Sequence, residues 1–317
     1  SHNMGKTAGT AQAWLSGRNA KIFDLSRTPQ SLTWPHIMDI RLSAEIERNV
    51  LAALAEDIGG GDLTAQLIPP TQQSRGLVIT REDAVLCGVP WFNTCFQRLD
   101  PYSAITWQAR DGDSVTAGQT LCEITASTRA LLTAERTALN FLQLLSGTAS
   151  LTRLFVDLVE GTDCKIVDTR KTLPGLRLAQ KYAVKTGGGH NHRLGLYDGI
   201  LIKENHIIAA GGVAQALNQA RKLAAGHVFV QIEVETIAQL VEALECGAAM
   251  VLLDNMTLEQ LREAVVINAG RAELEVSGGV NIERVRAIAE TGVHRISIGS
   301  LTKDVKAVDL SLRHVER

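Results

Sequence analysis

The chain has 317 residues, enough for one large domain or two modest ones. Hydrophobic residues make up 45% and charged residues 21%, an ordinary soluble composition, and a formal net charge of −2 supplies no basic field for nucleic acid. No apolar run approaches the roughly 18 residues of a membrane span, and Cys87, Cys95, Cys122, Cys164 and Cys246 form no CxxC pair, which disfavours a zinc ribbon or redox motif and reads most simply as free thiols in a reducing cytoplasm.

Ser1-His-Asn-Met4 reads as a cleavage scar before a native Met4, and it is excluded from fold reasoning. Residues 5–34 are rich in Gly, Ser, Thr and Lys/Arg, with Asp24 the only acid. A transit peptide and a disordered tail share that composition; the lack of a clear amphipathic period favours the tail for residues 1–34. Residues 38–56 carry apolar positions at helical spacing, with Ser43 as a plausible N-cap, and Asp57-Ile-Gly-Gly-Gly-Asp62 ends that helix. Residues 75–125 read as β structure, with strands at 75–80, 84–88 and 105–108. The stretch Asp111–Ile124 resembles the hammerhead turns of biotinyl and lipoyl carrier domains. Those domains need an attachment lysine, and none lies between residues 82 and 164, so a small β sandwich is expected instead. Residues 127–147 form a strong helix pattern, with Leu131, Leu132, Ala138, Leu139, Leu142 and Leu145 on one side.

Six short apolar segments then end in polar residues or glycine: Lys165–Asp168, Ile200–Lys203, Val228–Glu233, Met250–Asp254, Leu274–Ser277 and Arg295–Gly299. The steps from Asp168 to Lys203, Glu233, Asp254, Ser277 and Gly299 are 35, 30, 21, 23 and 22 residues, room for a strand, a helix and two loops each time. Helices are expected near 175–186, 212–224, 236–246, 257–267 and 281–291, and a last helical segment from Leu301 to Arg313. Six units in about 135 residues are too few for the roughly 250 of an eight-unit barrel, so a smaller or incomplete parallel barrel follows.

In such folds the chemistry sits where the strand C-termini converge. Beside Asp168 and Asn191, the residues Arg170, Lys171, His190, His192, Arg193 and Lys203 would give that mouth a basic half, suited to a substrate with several anionic groups. Glu233, Glu235 and Asp254 would give it an acidic half, suited to ribose hydroxyls, a magnesium ion or a developing cation. Ser277-Gly-Gly279 and Gly299-Ser300 end the last two strands, each expected to precede a helix start, where backbone N–H groups cradle phosphate. His190 reads as a loop or structural histidine, and the basic neighbours Arg193 and Lys203 disfavour a His190–His192 metal pair. A Schiff-base role for Lys203 is disfavoured by the other charges in the mouth.

The strings Thr133-Ala-Glu-Arg-Thr-Ala-Leu-Asn140, Asp168-Thr-Arg-Lys-Thr-Leu-Pro-Gly-Leu-Arg177, Gly187-Gly-Gly-His-Asn-His-Arg-Leu-Gly195, Leu201-Ile-Lys-Glu-Asn-His-Ile207 and Leu252-Leu-Asp-Asn255 resemble the quinolinate phosphoribosyltransferase family. The resemblance runs from about residue 38 to 313. It implies an N-terminal α/β sandwich domain over 35–142 plus a partly open six-stranded α/β barrel over 143–300, with 301–317 a helical segment returning to the sandwich domain. It implies transfer of phosphoribosyl from 5-phosphoribosyl-1-pyrophosphate to quinolinate with decarboxylation, Mg2+ as cofactor, and a cytoplasmic homodimer without nucleic-acid or membrane partners. By motif, Arg136 would bind a quinolinate carboxylate in the partner's site, and Arg170, His192 and Arg193 would complete the quinolinate pocket. Lys171 and Lys203 would lie between the two substrates, as catalytic and binding residues. Glu233 and Asp254 would hold the ribose hydroxyls and the magnesium, and Ser277, Gly278 and Gly299 would present amides to the 5-phosphate.

Overall fold

The computed structural model describes residues 34–224, 226 and 228–315, with side chains from residue 41, so the expected tail falls almost wholly outside the described residues. Helix α1 spans Trp34–Ile58 and stops at the Gly59–Gly61 run. Ser43 therefore lies inside the helix rather than capping it; Pro35, fixed near helical φ, suits the first turn upstream.

Strands β1 (Gln73–Thr80) and β2 (Ala84–Val85) follow, as expected. Helix α2 (Val89–Leu99) was not foreseen, because Pro90 reads as the end of a strand. It occupies the first helical turn instead, and Trp91, Phe92, Cys95 and Phe96 bury one face at i, i+1, i+4 and i+5. Strands β3 (Ala104–Trp107), β4 (Ser114–Val115) and β5 (Thr120–Ser127) complete the region.

The long helix α3 (Thr128–Leu158), capped where Ser127 Oγ accepts the Ala130 N–H at 3.3 Å, runs well past the expected end at 147. At ~1.5 Å per residue it is about 46 Å long. Its N-terminal part buries Leu131, Ala138, Leu142 and Leu145 in the core beneath the antiparallel sheet. Phe155, near its end, lies in a second core with the parallel strands. One helix thus joins two hydrophobic cores.

The parallel strands are β6 (Lys165–Val167), β7 (Gly199–Ile202), β8 (Phe229–Val234), β9 (Met250–Asp254), β10 (Glu273–Ser277) and β11 (Arg295–Ser297). Between them lie α4 (Arg177–Thr186), α5 (Glu204–Ala210), α6 (Val213–Leu223), α7 (Ile237–Glu245), α8 (Leu258–Asn268) and α9 (Val285–Ala289). The sheet order is β6-β11-β10-β9-β8-β7, parallel throughout, with no strand pairing between β6 and β7. Among the described residues a single bridge, from Val167 to His190, narrows that seam, so the six-stranded barrel is partly open. His190 is backbone structure here, as its sequence reading suggested.

Alternation along each strand sorts the residues. Ile166, Ile202, Ile232, Val234, Val251, Leu253, Leu274, Val276 and Ile296 join the apolar core with the helices. The remaining parity faces the barrel interior and carries the polar residues.

The C-terminal segment corrects the expected helix over 301–317. Helix α10 (Ser300–Lys303) is one short turn, and β12 (Leu310–Val315) is a strand. It pairs antiparallel with β1 from Arg75↔Val315 to Thr80↔Leu310, giving the sheet order β12-β1-β5-β3. Leu310-Ser-Leu-Arg313 alternates at period two, a strand signal that the preceding helical turn obscures.

Candidate active site

A cavity of about 440 Å³ opens at the C-terminal ends of the parallel strands. Two layers of inward residues build it, spaced by the strand period. The rim layer carries Thr169, Lys203, Glu233, Asp254 and Ser277; two residues earlier, Leu201, Leu252, Glu275 and Ser297 form the floor. Arg170, Lys171, His192 and Arg193 enter from the loops on either side of α4.

These loops are held from behind by one buried ion pair. Asp168 has the parity of Ile166, so it points away from the cavity it was expected to border, and it is fully buried. Lys181 on α4 donates to its Oδ1 and also to the His192 carbonyl at 2.9 Å. The His192 N–H donates to Asp168 Oδ1 at 2.8 Å, and Asn191 Nδ2 to Oδ2 at 2.6 Å. Burial raises the Asp168 pKa and lowers that of Lys181, each opposed by the partner's charge. Removing either partner would strand the other.

Arg177 binds the two loops to each other. Its Nε donates to Thr172 Oγ1 at 3.1 Å, Nη1 to the Leu194 carbonyl at 3.1 Å and Nη2 to the Arg170 carbonyl at 3.3 Å. Arg48 Nη2 and the buried Asn49 Nδ2, both on α1, donate to the Gly175 carbonyl at 2.7 and 3.1 Å. Arg170 and Arg193 are thereby kept close despite like charge. Desolvation first, then the neighbouring Arg170, lowers the Arg193 pKa. Two adjacent guanidiniums facing a cavity are a ready anion site.

His192 adds shape rather than charge. Its Nδ1 accepts the Arg193 N–H at 2.8 Å, and its Nε2 lies 2.9 Å from Gln231 Oε1. Burial lowers its pKa below the ordinary 6.5, against the pull of Glu275, so the imidazole is neutral near pH 7. The cations lining the mouth are thus Arg170, Lys171, Arg193 and Lys203, fewer than the sequence suggested.

Across the cavity, Lys203 Nζ donates to Glu233 Oε2 at 2.6 Å. An exposed lysine in an ion pair lacks the apolar surroundings of a Schiff-base nucleophile. Burial raises the Asp254 pKa and Glu233 raises it further, while Lys203 and Lys171 oppose the rise. The two carboxylates therefore share one field. Such a pair fits a magnesium bound through one or two carboxylates and substrate phosphates rather than an all-protein cage.

The glycine loops differ from expectation in one respect. Helix α9 begins only at Val285, so the 277–279 loop has no helix dipole directly behind it. Gly278 has φ +97°, and a Cβ there would lie 2.2 Å from Asn255 Oδ1. Gly299 has no such φ, but a Cβ would meet the Lys171 side chain at 2.8 Å. Bare backbone thus lets β9 and β10 end close together and lets the Lys171 side chain lie against Gly299, just past β11.

Of the sequence-identified residues, Arg170, Lys171, His192, Arg193, Lys203, Glu233, Asp254 and Ser277 line this one cavity. Arg136 does not: it is exposed on α3 and borders a separate cavity of about 390 Å³ with Arg48, Glu56 and Asp57. Gln231, Glu275 and Lys181 were missed. Counting back two from Glu233 and Ser277 finds the first two; Lys181 gives no sequence signal beyond a charge on a helix.

The family model "Quinolinate phosphoribosyl transferase, C-terminal domain" matches residues 148–313, and its N-terminal counterpart matches residues 62–146. A probable nicotinate-nucleotide pyrophosphorylase (carboxylating) of Bacillus subtilis is 40% identical over 257 residues, covering 81% of this chain and 89% of that protein. Quinolinate phosphoribosyltransferase (decarboxylating) 1 of Nicotiana glauca is 40% identical over 284 residues, covering 82% and 80%. The solved nicotinate-nucleotide pyrophosphorylase of Francisella tularensis superposes with a TM-score of 0.84 at 46% identity, covering 86% of this chain and 97% of that one.

Lys181→Met is expected to lower unfolding stability by about 3–5 kcal/mol, because it leaves the Asp168 carboxylate buried without its cation. Urea unfolding followed by circular dichroism checks this, and a midpoint unchanged from the wild type would rule out the anchoring role.

Proposed function

The chain belongs to the quinolinate phosphoribosyltransferase family, and from that premise we propose how its barrel mouth carries out the family's reaction. The enzyme transfers phosphoribosyl from 5-phosphoribosyl-1-pyrophosphate to quinolinate with decarboxylation, giving nicotinate mononucleotide, pyrophosphate and CO2 in NAD biosynthesis. The observation that carries the assignment of roles is the cavity with two arginines on one side and two carboxylates on the other.

Quinolinate brings two adjacent carboxylates. Arg170 and Arg193 receive them, with Lys171 beside the rim; each charge-assisted hydrogen bond contributes about 1.5–3 kcal/mol. His192 completes the pocket as a neutral wall. Lys203 and Lys171 lie between the two substrates. Glu233 and Asp254 hold the ribose hydroxyls and face the positive charge that builds on the ribose C1 as pyrophosphate departs. Glu233 and Asp254 would hold magnesium together with the substrate phosphates, where it would supply positive charge to the leaving group. Backbone amides at Ser277, Gly278 and Gly299 receive the 5-phosphate; the tight backbone at 278 and 299 supports that reading. Attack by the pyridine nitrogen makes the ring cationic, which draws the electron pair of the adjacent carbon–carboxylate bond onto the ring carbon as CO2 leaves; that carbon then takes a proton from water.

The active unit in this reading is a cytoplasmic homodimer in which Arg136 serves the partner's mouth. Arg136 is exposed and does not line its own mouth. The exposed Leu63 and Leu67 lie beside its helix, joined to it where Thr133 donates to Asp62 at 2.8 Å. Apolar surface next to an arginine suits a protein interface. The five cysteines are all unpaired, which suits a reducing compartment.

Release of CO2 and pyrophosphate is expected with quinolinate, donor and magnesium, and not with nicotinate, whose single carboxylate leaves one guanidinium unanswered. Turnover of nicotinate, or of neither, would move the activity to another anionic heterocycle. Arg136→Ala is expected to raise the quinolinate KM sharply, and mixing it with Lys203→Ala should restore part of the activity in mixed dimers. No restoration would remove Arg136 from a shared site.

A further inference from the structure

Beneath the mouth lies a chain of buried polar groups with no expected role. Gln231 on β8 and Glu275 on β10 sit in the floor layer, 0% and 1% exposed. Gln231 Nε2 donates to Glu275 Oε2 at 3.2 Å, and His192 Nε2 lies 2.9 Å from Gln231 Oε1. Arg295 Nε, on β11, stands 3.3 Å from Glu275 Oε2 and sets a guanidinium beside that carboxylate.

The direction of each bond follows from the chemistry of its end. An ionised carboxylate only accepts, so the Gln231 amide must turn its NH2 toward Glu275. Its carbonyl oxygen then faces His192, which must donate from Nε2. The Nδ1 atom is left bare and accepts the Arg193 N–H at 2.8 Å. The second carboxylate oxygen, Glu275 Oε1, is buried without a hydrogen-bond partner among the described residues and stands 3.6 Å from His192 Nε2. Its field also favours a proton on that nitrogen. Phe229 packs edge-on to the ring at 5.4 Å between centroids and limits its rotation.

We propose that Glu275 is a positioning residue for the substrate pocket: acting through Gln231, it fixes the Nε2–H tautomer of His192, and that tautomer aims Arg193 into the mouth. The sequence Glu275, Gln231, His192, Arg193 backbone is one relay with a single sense. Reversing any member would set two donors or two acceptors face to face. The link to quinolinate rests on the function proposed above; the tautomer does not.

Glu275→Gln keeps the size of the side chain and removes its acceptor-only character. Histidine-selective 15N labelling reads the tautomer directly, with His192→Asn used to assign the resonances and circular dichroism to confirm the fold. In the wild type at neutral pH, His192 is expected as the Nε2–H form. In Glu275→Gln, a mixture of tautomers is expected, with a quinolinate KM raised about tenfold, the size of one lost charge-assisted hydrogen bond, and a smaller change in kcat. Gln231→Met cuts the relay without changing charge, and the same tautomer loss is expected even if Glu275→Gln fails to fold. A wild-type Nδ1–H form or imidazolium would overturn the proposal, as would an unchanged tautomer in the folded variants. An enzyme inert toward quinolinate would overturn the proposed function while the 15N spectra still decide the relay.

Discussion

The mouth of this barrel depends on a buried ion pair that faces away from it. Asp168 and Lys181 are both out of solvent, and together they accept or donate hydrogen bonds to Asn191 and to the backbone of His192. Burying two charges is costly, and a pair of apolar side chains would serve stability as well or better. What an apolar pair cannot do is grip backbone N–H and C=O groups of a particular loop. The loop so gripped brings His192 and Arg193 over the barrel floor, and Arg177 then ties the Arg170 loop to it. Like charges gathered there repel one another, so the anchors must outweigh that repulsion before any anion arrives. The charge that lines the mouth is thus supported by charge that never reaches it.

The period-two alternation of the strands divides the remaining labour. One parity, from Ile166 to Ile296, makes the apolar core with the helices. The other makes the cavity, rim and floor. Glu233 and Asp254 sit on adjacent strands at the rim, where solvent and a substrate-borne cation can reach them. Glu275 and Gln231 sit one layer deeper, where only protein can answer them. In the roles proposed above, a carboxylate binds at one depth and orients at the next. Long helix α3 couples this barrel to the antiparallel sheet, and β12 returns the chain to that sheet beside β1.

Much of this was legible in the sequence because parallel strands end abruptly. An apolar run followed by Lys203, Glu233 or Asp254 marks both the strand and the rim residue, and eight of the eleven named site residues line one cavity. The parts that were not legible share a cause: their signal is tertiary. Asp168 looks like a rim residue until its parity is compared with Ile166. Lys181 is a charge on a helix until Asp168 meets it. The α2 helix was hidden by Pro90, which serves a helix start as readily as a strand end. The β12 strand was hidden by a helical turn at Ser300–Lys303. His192 was counted with the cations because its two engaged nitrogens and its burial belong to the fold. Arg136, expected at a mouth, borders a different cavity in this chain.

The most direct test of this dependence replaces the pair whole. The double variant Asp168→Leu/Lys181→Met leaves no uncompensated charge, so the fold is expected to survive with stability near that of the wild type. Quinolinate affinity, measured by titration calorimetry, is expected to weaken roughly thirtyfold, about 2 kcal/mol, although neither residue touches the ligand. An affinity within about twofold of the wild type in a folded double variant would contradict the account, since a change below roughly 0.4 kcal/mol would mean the mouth holds its shape without the pair.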